Sequence, residues 1–395
     1  MRLEPTAGET EFRQVVRNFV LTELPASTRD KVRHERRLNR DDLTSWYQLL
    51  NAQSWATPRW PVEWGGTGWT EAQHAIFDEE LQLNDAPRMV SPGIMMLGPT
   101  LIRYGSAEQQ MTHLPSIRSS DVWWAQGFSE SEAGSDLAAI RTTAKVQTDV
   151  QGTHYVVSGT KLWTSYAHFC DMMFCLVRTN ISAARRQHGL SLLLLSLSSP
   201  GVSIRRLRTL DGGDDLNEVI LDGVRVPEAN RVGAEGDGWT YAKYLLSFER
   251  GGIAGVGAAK KLLKRLRDLS RDQATSHPVS RGLESAIERL ALEVLALEAT
   301  ANRLLSQDPI QAITPSILKV RGTELRQELA NLIYQHSASG DVYERHAEIA
   351  PGMRGAGLSA NPANTLLGSR KLSIYGGTNE VQRNIIAKHA FGDWA

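Results

Sequence analysis

Residues 126–136 combine small residues with polar groups in a way that suits a flat or phosphate-bearing ligand. The backbone N–H groups at 133–135 belong to small residues, so they can approach a phosphate or an aromatic ring closely. The hydroxyl of Ser129 can hydrogen bond to the edge of such a ring. Taken alone, this stretch also fits an ordinary polar turn, so it marks a candidate site without identifying the ligand.

Trp163 and the two hydroxyl residues after it, Thr164 and Ser165, form a second candidate. A Trp on a strand beside two hydroxyls can stack on an aromatic cofactor and donate hydrogen bonds to it. A core Trp at the end of a strand is the alternative interpretation.

The third candidate is residues 373–383, where Gly376 and Gly377 precede Thr378. Threonine is favoured at a helix N-cap. A helix that begins there would present its N-terminus to an anionic or polar ligand. The alternative is simply a capped terminal helix.

The fourth candidate, Glu249 with Arg250, lies within a strongly helical pattern over residues 246–255. Three of those residues are glycines, and each costs roughly 0.8–1 kcal/mol relative to Ala inside a helix. We therefore expect something to approach this helix closely, either a ligand or a neighbouring helix that leaves Glu249 and Arg250 solvated. A dinucleotide fingerprint at 255–257 is rejected, because no strand precedes it and its third glycine is missing.

The spacing of apolar and turn-forming residues predicts the elements that position these candidates. Helical periodicity predicts helices over 12–24, 41–53, 71–84, 239–271, 283–306, 315–338 and 378–390. Short β-branched and apolar runs predict antiparallel strands over 154–158, 171–179, 190–198, 202–210 and 218–226. Residues 58–68 are too rich in Pro and Gly for either, and residues 340–362 are expected to form a loop.

This order of elements predicts an α+β protein with three domains. An N-terminal α-helical domain is expected over 1–119, a β-domain over 120–232 and a C-terminal helical bundle over 233–395. Residues 283–305 are apolar over most of a helical circumference. Such a helix is buried among others, so we expect a bundle that a second chain can share.

Composition excludes several function classes. The 44 basic and 44 acidic residues cancel, which gives no electrostatic case for nucleic acid or an anionic membrane as the main partner. No apolar run reaches the length of about 18 residues that a membrane span needs, and the N-terminal residues lack the apolar core of a signal peptide. We expect a cytoplasmic protein.

The two cysteines and ten histidines predict neither a disulfide nor a metal site. Cys170 and Cys175 stand at odd spacing in a strand-like run, so we expect them on opposite faces of one strand. The histidines do not cluster at ligand spacing, and no P-loop, HExxH or GxSxG motif is present.

In order and separation, the four candidate stretches resemble those of the acyl-CoA dehydrogenases. The resemblance covers almost the whole chain and includes residues 60–66, where Trp, Pro and a glycine pair recur. Residues 123–124, 210–213 and 217–219 add a likeness to some bacterial members. One stretch alone would be weak evidence, whereas four in register are strong.

The resemblance implies an acyl-CoA dehydrogenase-like fold, with an N-terminal helical domain, a middle β-domain and a C-terminal four-helix bundle. It also implies FAD as cofactor, an acyl-CoA substrate and an electron-transferring flavoprotein as electron acceptor. The assembly would be a homodimer, a homotetramer or a hetero-oligomer with a related subunit. The reaction would be α,β-desaturation, in which a carboxylate removes the α-proton and the β-hydrogen leaves as hydride to flavin N5.

The resemblance also assigns site residues by position. Phe128 and Ser129 would hold the pyrimidine side of the flavin, Trp163 would lie against the ring, and Ser135 would face the pyrophosphate or the CoA. The full set of implied FAD contacts is Gln126, Phe128, Ser129, Gly134, Ser135, Trp163, Thr164, Ser165, Gly377, Thr378 and Glu380. The implied substrate contacts are Ser135, Arg250, Tyr375 and Gly376.

Three departures from the family pattern matter. Ser131 and Glu132 replace the usual Pro-Gly of the flavin loop, and the Arg and Phe-Gly segment that reaches a neighbouring subunit's FAD is not recognisable around 271–283. Gly376 occupies the usual position of the catalytic glutamate. Its backbone N–H remains available to stabilise the thioester oxygen, so only the carboxylate is lost.

Glu249 is the residue expected to replace that carboxylate. A minority of the family carries its base immediately before an arginine on the first helix of the C-terminal domain, and Glu249-Arg250 matches that position. Two alternatives stay open: a non-catalytic or FAD-deficient partner subunit, and an oxidase or monooxygenase on the same fold. The sequence does not specify the acyl group, which can be dicarboxylyl, fatty, branched or steroid-derived.

Overall fold

The computed structural model describes residues 5–89, 91–274, 281–305, 313–337 and 362–392. The chain divides into two compact units. The helical unit comprises Met1–Trp46, Trp69–Arg88 and Arg250–Ala395, and the sheet unit comprises Tyr47–Gly68 and Met89–Glu249. The predicted domain boundaries at 119/120 and 232/233 remain predictions.

Four helices occupy the N-terminal part of the chain: α1 (Ala7–Glu23), α2 (Ala26–Arg33), α3 (Arg40–Ala52) and α4 (Glu71–Leu83). Capping boxes begin two of them, with Thr6 and Glu9 at α1 and with Thr70 and Gln73 at α4. The helices predicted over 12–24, 41–53 and 71–84 are confirmed, whereas α2 was not foreseen.

Five helices form the C-terminal part of the helical unit: α8 (Val256–Ala274), α9 (Arg281–Leu305), α10 (Thr314–His336), α11 (Pro362–Ser369) and α12 (Asn379–Phe391). Helices α8, α9 and α10 share a core that contains the fully buried side chains of Leu266, Leu290, Leu329 and Ile333. The loop predicted over 340–362 lies outside the described residues apart from Pro362, which begins α11. Leu292 and Leu295 of α9 are 69% and 58% exposed, so within this chain that helix is buried on one side only.

The single helix predicted over 239–271 is wrong. The chain forms α7 (Gly238–Ile253) and then α8, because Gly255 between them adopts a left-handed backbone with φ of +62°. A glycine of this kind ends a helix and does not weaken its interior. Helix α10 approaches the junction closely, since a Cβ on Gly322 would lie 2.1 Å from the carbonyl oxygen of Ala254.

The sheet unit is built on eight described strands: β1 (Trp124–Gly127), β2 (Thr143–Asp149), β3 (Gly152–Ser165), β4 (Met172–Arg178), β5 (Leu190–Ser196), β6 (Val202–Leu207), β7 (Leu216–Pro227) and β8 (Arg231–Val232). Their order is β6-β7-β3-β2-β4-β5-β8, and β1 pairs with β4. All five predicted strands are confirmed, as is their mainly antiparallel pairing; β1 runs parallel to β4.

The two cysteines lie differently from the expectation. Cys175 is fully buried in β4, and this burial raises the pKa of its thiol to about 11. Cys170 precedes the strand, so the argument from opposite faces was wrong, although both cysteines are free as expected. Within the described residues, no helix is long and apolar enough to cross a membrane.

Residues 58–68 pack beneath an irregular helical turn of the sheet unit. One π-helical turn, Gly93–Leu97, leads into α5 (Gly98–Tyr104), and α6 (Ala107–Ser119) follows. The indole of Trp60 donates to the carbonyl of Ile94 at 2.8 Å, which satisfies one acceptor of that turn. Gly98 lies so close that an added Cβ would be 2.0 Å from the Trp60 ring. The Pro- and Gly-rich stretch therefore serves as packing, and its only helical part is the 3-10 turn Val62–Trp64.

Candidate functional site

Residues 128–136 form a closed hairpin turn in the sheet unit. Glu130 and Ala133 exchange two backbone hydrogen bonds, each of 3.1 Å, with Ser131 and Glu132 at the tip. Neither tip residue needs a positive φ, so this pair forms the turn without the usual Pro-Gly. A Cβ added to Gly134 would meet no atom within 4 Å, so the space beside this backbone is open.

A buried lysine ties this hairpin to the sheet. Lys161, with no exposed surface, donates to Glu130 Oε1 at 2.8 Å, to the Phe128 carbonyl at 3.2 Å and to the Leu176 carbonyl at 2.7 Å. These bonds use all three ammonium protons. The hairpin is therefore held by β3 and β4 through protein contacts that do not require a ligand.

The other side of Glu130 is equally occupied. Its carboxylate accepts the backbone N–H of Arg141 at 2.6 Å and of Thr142 at 3.0 Å, and the Thr142 hydroxyl at 2.6 Å. Burial opposes the charge, but Lys161 and these donors outweigh it and hold the pKa of Glu130 below its ordinary value. Glu130 stays ionised and structural, so it is not a candidate base.

Trp163 stands on a bulge of β3. The pairing of β3 with β7 shifts register between Lys161 and Thr164, and Trp163 there has a φ of +63° with 55% of its surface exposed. A left-handed backbone is uncommon for a bulky residue, and bulges beside functional sites re-aim side chains. The indole is therefore exposed, and the surrounding contacts must offset the free energy that this strained backbone costs.

Two contacts hold this bulge. The buried amide of Asn217 donates to the Thr164 carbonyl at 2.9 Å, and its oxygen lies 3.0 Å from Nδ1 of His168. The backbone N–H of Leu162 donates to the Ser129 carbonyl at 2.8 Å. This last bond joins the bulge directly to the hairpin. The residues predicted to contact flavin around 129 and around 163 are therefore linked by a hydrogen bond.

The two hydroxyls beside Trp163 differ. The Thr164 hydroxyl is buried and has no hydrogen-bond partner among the described residues, whereas Ser165 is only partly buried. Of the pair expected at the ring edge, Ser165 is the accessible one. Sequence reasoning missed Lys161, Glu130 and Asn217, because their sequence neighbours are largely polar and no local pattern distinguishes them.

The C-terminal turn belongs to the helical unit. Gly376 and Gly377 have φ values of +65° and +81°, and the hydroxyl of Thr378 then accepts the N–H of Val381 at 3.1 Å. The predicted N-cap of α12 is confirmed. From α10, buried Lys319 donates to Asn379 Oδ1 at 2.8 Å. The turn is therefore fixed by its own cap and by a lysine beneath it.

The backbone at position 376 gives a testable consequence for stability. Gly376→Ala is expected to lower the free energy of unfolding by about 1–2 kcal/mol, because an L-residue is strained at this φ. Chemical denaturation measures the change. Gly8→Ala in α1 is the control and should act in the opposite direction, by roughly 0.5–1 kcal/mol, since Gly8 is an ordinary helical glycine. Equal effects at the two sites would contradict the assignment of strain.

The proposed base lies outside the part of the structure that can be described at side-chain level. Helix α7 runs through Glu249 and Arg250, but the side chains of residues 247–253 are not among those described. Residues 275–280 of the segment expected to contact a neighbouring FAD are likewise outside the described ranges. No group of three His, Cys, Asp or Glu among the described residues is arranged to hold a metal.

The described residues of the sheet unit suit the flavin contacts that the sequence implies. An exposed indole, held in a strained conformation, stands on a bulge that is hydrogen bonded to a hairpin with open space beside Gly134. Strain of this kind is typical of ligand sites, and an aromatic face is a suitable surface for a flat ring.

Models of known protein families match the N-terminal, middle and C-terminal parts of this chain. Three family models match the chain: acyl-CoA dehydrogenase, N-terminal domain, over residues 6–121; acyl-CoA dehydrogenase, middle domain, over 125–224; and acyl-CoA dehydrogenase, C-terminal domain, over 236–391.

Individual relatives agree with these matches. The acyl-CoA dehydrogenase IpdE1 of Mycolicibacterium smegmatis is 34% identical over 364 residues, which make up 89% of this chain and 88% of that relative. Among solved structures, the ChsE4-ChsE5 complex from Mycobacterium tuberculosis aligns over 99% of both chains with a TM-score of 0.85 at 29% identity. The Tcur3481-Tcur3483 steroid ACAD aligns over 99% of both chains with a TM-score of 0.87 at 26% identity.

Proposed function

The chain belongs to the acyl-CoA dehydrogenase family, and from that premise we propose that it desaturates an acyl-CoA thioester to the trans-2-enoyl-CoA with Glu249 as the α-proton base. The general activity, FAD-dependent oxidation of acyl-CoA, is that of the family. The observation that carries the proposal is the outward Trp163 on its bulge, joined to the hairpin at 128–136.

Each group of residues has a distinct task in this proposal. The indole of Trp163 orients the flavin ring, and the backbone of Phe128 with the hydroxyls of Ser129 and Ser165 binds its polar edge. When bound, FAD supplies the acceptor for the β-hydride at N5. The remaining proposed FAD contacts are Gln126, Gly134, Ser135, Thr164, Gly377, Thr378 and Glu380.

The substrate end rests on position 376. Gly376 has no carboxylate, but its N–H can donate to the thioester oxygen as negative charge develops there. Glu249 then takes the α-proton, while Arg250 and Tyr375 bind and orient the acyl-CoA. A positioned general base contributes about 10²- to 10⁴-fold to a rate, so the family reaction needs a replacement for the missing glutamate.

Anaerobic titration of the purified chain with acyl-CoA thioesters tests this function. Yellow protein whose flavin absorbance is bleached by an acyl-CoA supports the proposal. Colourless protein would instead identify a partner subunit, an alternative that the comparisons do not favour. Bleaching followed by fast reoxidation in air would identify an oxidase or monooxygenase. Because one structural neighbour is a steroid ACAD, the panel includes steroid-derived acyl-CoAs beside fatty, branched and dicarboxylyl ones.

Assembly with a second, related or identical chain is part of the proposal. One solved neighbour is a complex of two named components. In the helical unit, α9 exposes Leu292 and Leu295 beside a groove of about 130 Å³ between α9 and α10, lined in part by Leu297 and Leu325. An exposed apolar stripe on a long helix is typical of an interface. The electron acceptor is proposed to be an electron-transferring flavoprotein.

Replacing Leu292 and Leu295 together with Glu should weaken assembly by on the order of 100-fold, because two leucines would no longer be buried. Light scattering after size-exclusion chromatography measures the mass at several concentrations. Met111→Glu on α6 is the matched control, since Met111 is equally exposed at 68%. An unchanged mass in the double variant would show that this face of α9 is not the interface.

A further inference from the structure

His168 begins a chain of hydrogen bonds that ends at the bulge of Trp163. Its Nδ1 lies 3.0 Å from Oδ1 of Asn217, a side chain with no exposed surface. The amide nitrogen of Asn217 donates to the carbonyl of Thr164 at 2.9 Å and to the carbonyl of Asp215 at 3.2 Å. His168 itself stands in the 3-10 turn that follows β3, and the sequence resemblance implies no role for it.

The partners of Asn217 fix both the orientation of its amide and the protonated nitrogen of His168. Carbonyl oxygens only accept hydrogen bonds, so the two carbonyls require the NH₂ group of Asn217 and leave Oδ1 to face the histidine. An amide oxygen also only accepts, so Nδ1 of His168 must carry a hydrogen. The other neutral tautomer would place two lone pairs 3.0 Å apart. Turning the amide over to relieve that contact would remove both bonds to the carbonyls.

The ring of His168 is largely neutral at pH 7, so this requirement selects one tautomer. Burial lowers the pKa of the ring, and the positive charge of Arg206 acts in the same direction. The hydrogen bond to Asn217 and the charges of Asp214 and Asp215 oppose that change without reversing it. The protonated ring also donates from Nδ1, so the bond to Asn217 is present in both charge states.

The backbone that these bonds hold is strained at both ends. Trp163 and Tyr166 have left-handed backbones, with φ of +63° and +59°, which is unfavourable for residues other than glycine. Between them, the carbonyl of Thr164 accepts from Asn217. The N–H of Tyr166 donates at 2.7 Å to the carbonyl of Asp215, which Asn217 also contacts. The amide of Asn217 therefore connects the two ends of the strained segment.

We propose that His168 is a positioning residue for the flavin. Its Nδ1–H orients the amide of Asn217, and that amide holds the bulge from which Trp163 meets the cofactor. His168 does not touch the ring itself but acts through Asn217 and the backbone of Thr164. This inference rests on the proposed function, because the contacts of Trp163 and Ser165 with FAD belong to that function.

Packing is the alternative role for His168. Its ring meets that of Phe169 edge to face, with centroids 5.0 Å apart, and Phe169 stacks on Tyr166. Packing requires a planar ring, whereas the proposed role requires a donor at the place of Nδ1. His168→Phe keeps a ring without a donor. His168→Asn keeps a donor without a ring, because its amide nitrogen is two bonds from Cβ, as Nδ1 is. The two roles therefore predict opposite outcomes.

The measurements are the FAD dissociation constant and the visible circular dichroism of the bound flavin, because both respond to how the protein holds the ring. His168→Phe should raise the dissociation constant by about 10-fold, as expected for one lost hydrogen bond, and should alter the flavin bands. His168→Asn should retain the wild-type values of both. Wild-type values in His168→Phe, or the same losses in His168→Asn, overturn the proposal.

His154→Phe is the matched control. His154 is a buried histidine on the same strand, and its Nδ1 lies 3.2 Å from the carbonyl of Gly152. It precedes Trp163 by roughly 30 Å of extended chain. Loss of this histidine should lower the stability of the sheet unit and leave the FAD dissociation constant and the flavin bands unchanged. Equal flavin changes in His154→Phe would overturn the specific role of His168.

If His168→Phe does not fold, nitrogen-15 NMR of wild-type holoenzyme labelled at histidine decides. The signals of His168 are identified by their absence from His168→Asn. A hydrogen on Nδ1 of the neutral ring supports the proposal, and a lone pair there overturns it. Failure of His168→Asn to fold also overturns it, because that variant retains the donor.

Failure of the proposed function is a separate result. It would appear as protein that binds FAD but whose flavin no acyl-CoA bleaches. The FAD dissociation constant, the flavin bands and the histidine tautomer are all measured without substrate, so they still decide the present inference in that case.

Discussion

Glu249→Gln is expected to lower kcat by about 10²- to 10⁴-fold while the protein keeps its FAD. Gln preserves the shape and the hydrogen-bonding capacity of the side chain but cannot accept the α-proton at neutral pH. Because Gly376 offers no second carboxylate at the usual position, no other residue of the proposed site takes over this step. The effect should fall on kcat, with little change in acyl-CoA binding.

Single-turnover flavin reduction under anaerobic conditions is the appropriate measurement, since it isolates proton and hydride removal from reoxidation. Glu108→Gln, at the exposed first turn of α6, is the matched control and should reduce its flavin at the wild-type rate. Persistent reduction in Glu249→Gln would place the base elsewhere. Loss of FAD in that variant would show that Glu249 supports the cofactor site instead.

The second large effect is expected at Lys161. Lys161→Met should lower the free energy of unfolding by about 3–5 kcal/mol, because it leaves the carboxylate of Glu130 buried without its cation. Urea denaturation followed by far-UV circular dichroism measures it. Lys145→Met on the exposed side of β2 should change the same quantity by less than about 0.5 kcal/mol. A similar small change at Lys161 would contradict the assigned role.

The effect of Lys161→Met should depend on pH in a defined direction. In the wild type, the folded pKa of Glu130 lies below its ordinary value of 4.5, so its pairing stabilises the fold above that pH and is lost in stronger acid. In the variant, burial acts without the cation and favours the protonated form, so the variant loses stability as pH rises. The difference between the two proteins should therefore be largest near neutrality and narrow below about pH 4.

A double variant separates the buried charge from the lost packing. Lys161→Met combined with Glu130→Gln removes both charges, and it should recover part of the stability that the single variant loses. If Glu130→Gln lowers the free energy of unfolding by the same amount in the Lys161→Met protein as in the wild type, the two residues do not act as a pair.

The sequence predicted most clearly those features that depend on near neighbours. The N-cap at Thr378 and the five strands in the middle of the chain follow from local residue types, and each is present. The glycines after Glu249 predicted a close approach, and α10 does approach at Gly322. The same glycines also predicted the interior of one helix, whereas Gly255 adopts a left-handed backbone and separates α7 from α8.

The contacts that hold the hairpin and the bulge in place could not be predicted from near neighbours in the sequence. Lys161 meets Glu130 across 31 positions and Asn217 meets Thr164 across 53, so neither pairing shows in any local pattern. The bulge at Trp163 requires β7 to be present, and the parallel strand β1 requires β4, which begins 48 residues later. Long-range hydrogen bonds create these features, and sequence spacing does not record them.

The bond between Leu162 and Ser129, together with the ammonium of Lys161, means that the hairpin holds its shape through protein contacts alone. Association with FAD then needs no folding of the loop, and we expect a single bimolecular phase with a rate constant of about 10⁵–10⁷ M⁻¹s⁻¹. In the cofactor-free protein, the amides of Glu130, Ala133 and Leu162 should already exchange slowly with deuterium, as slowly as the strands that anchor them.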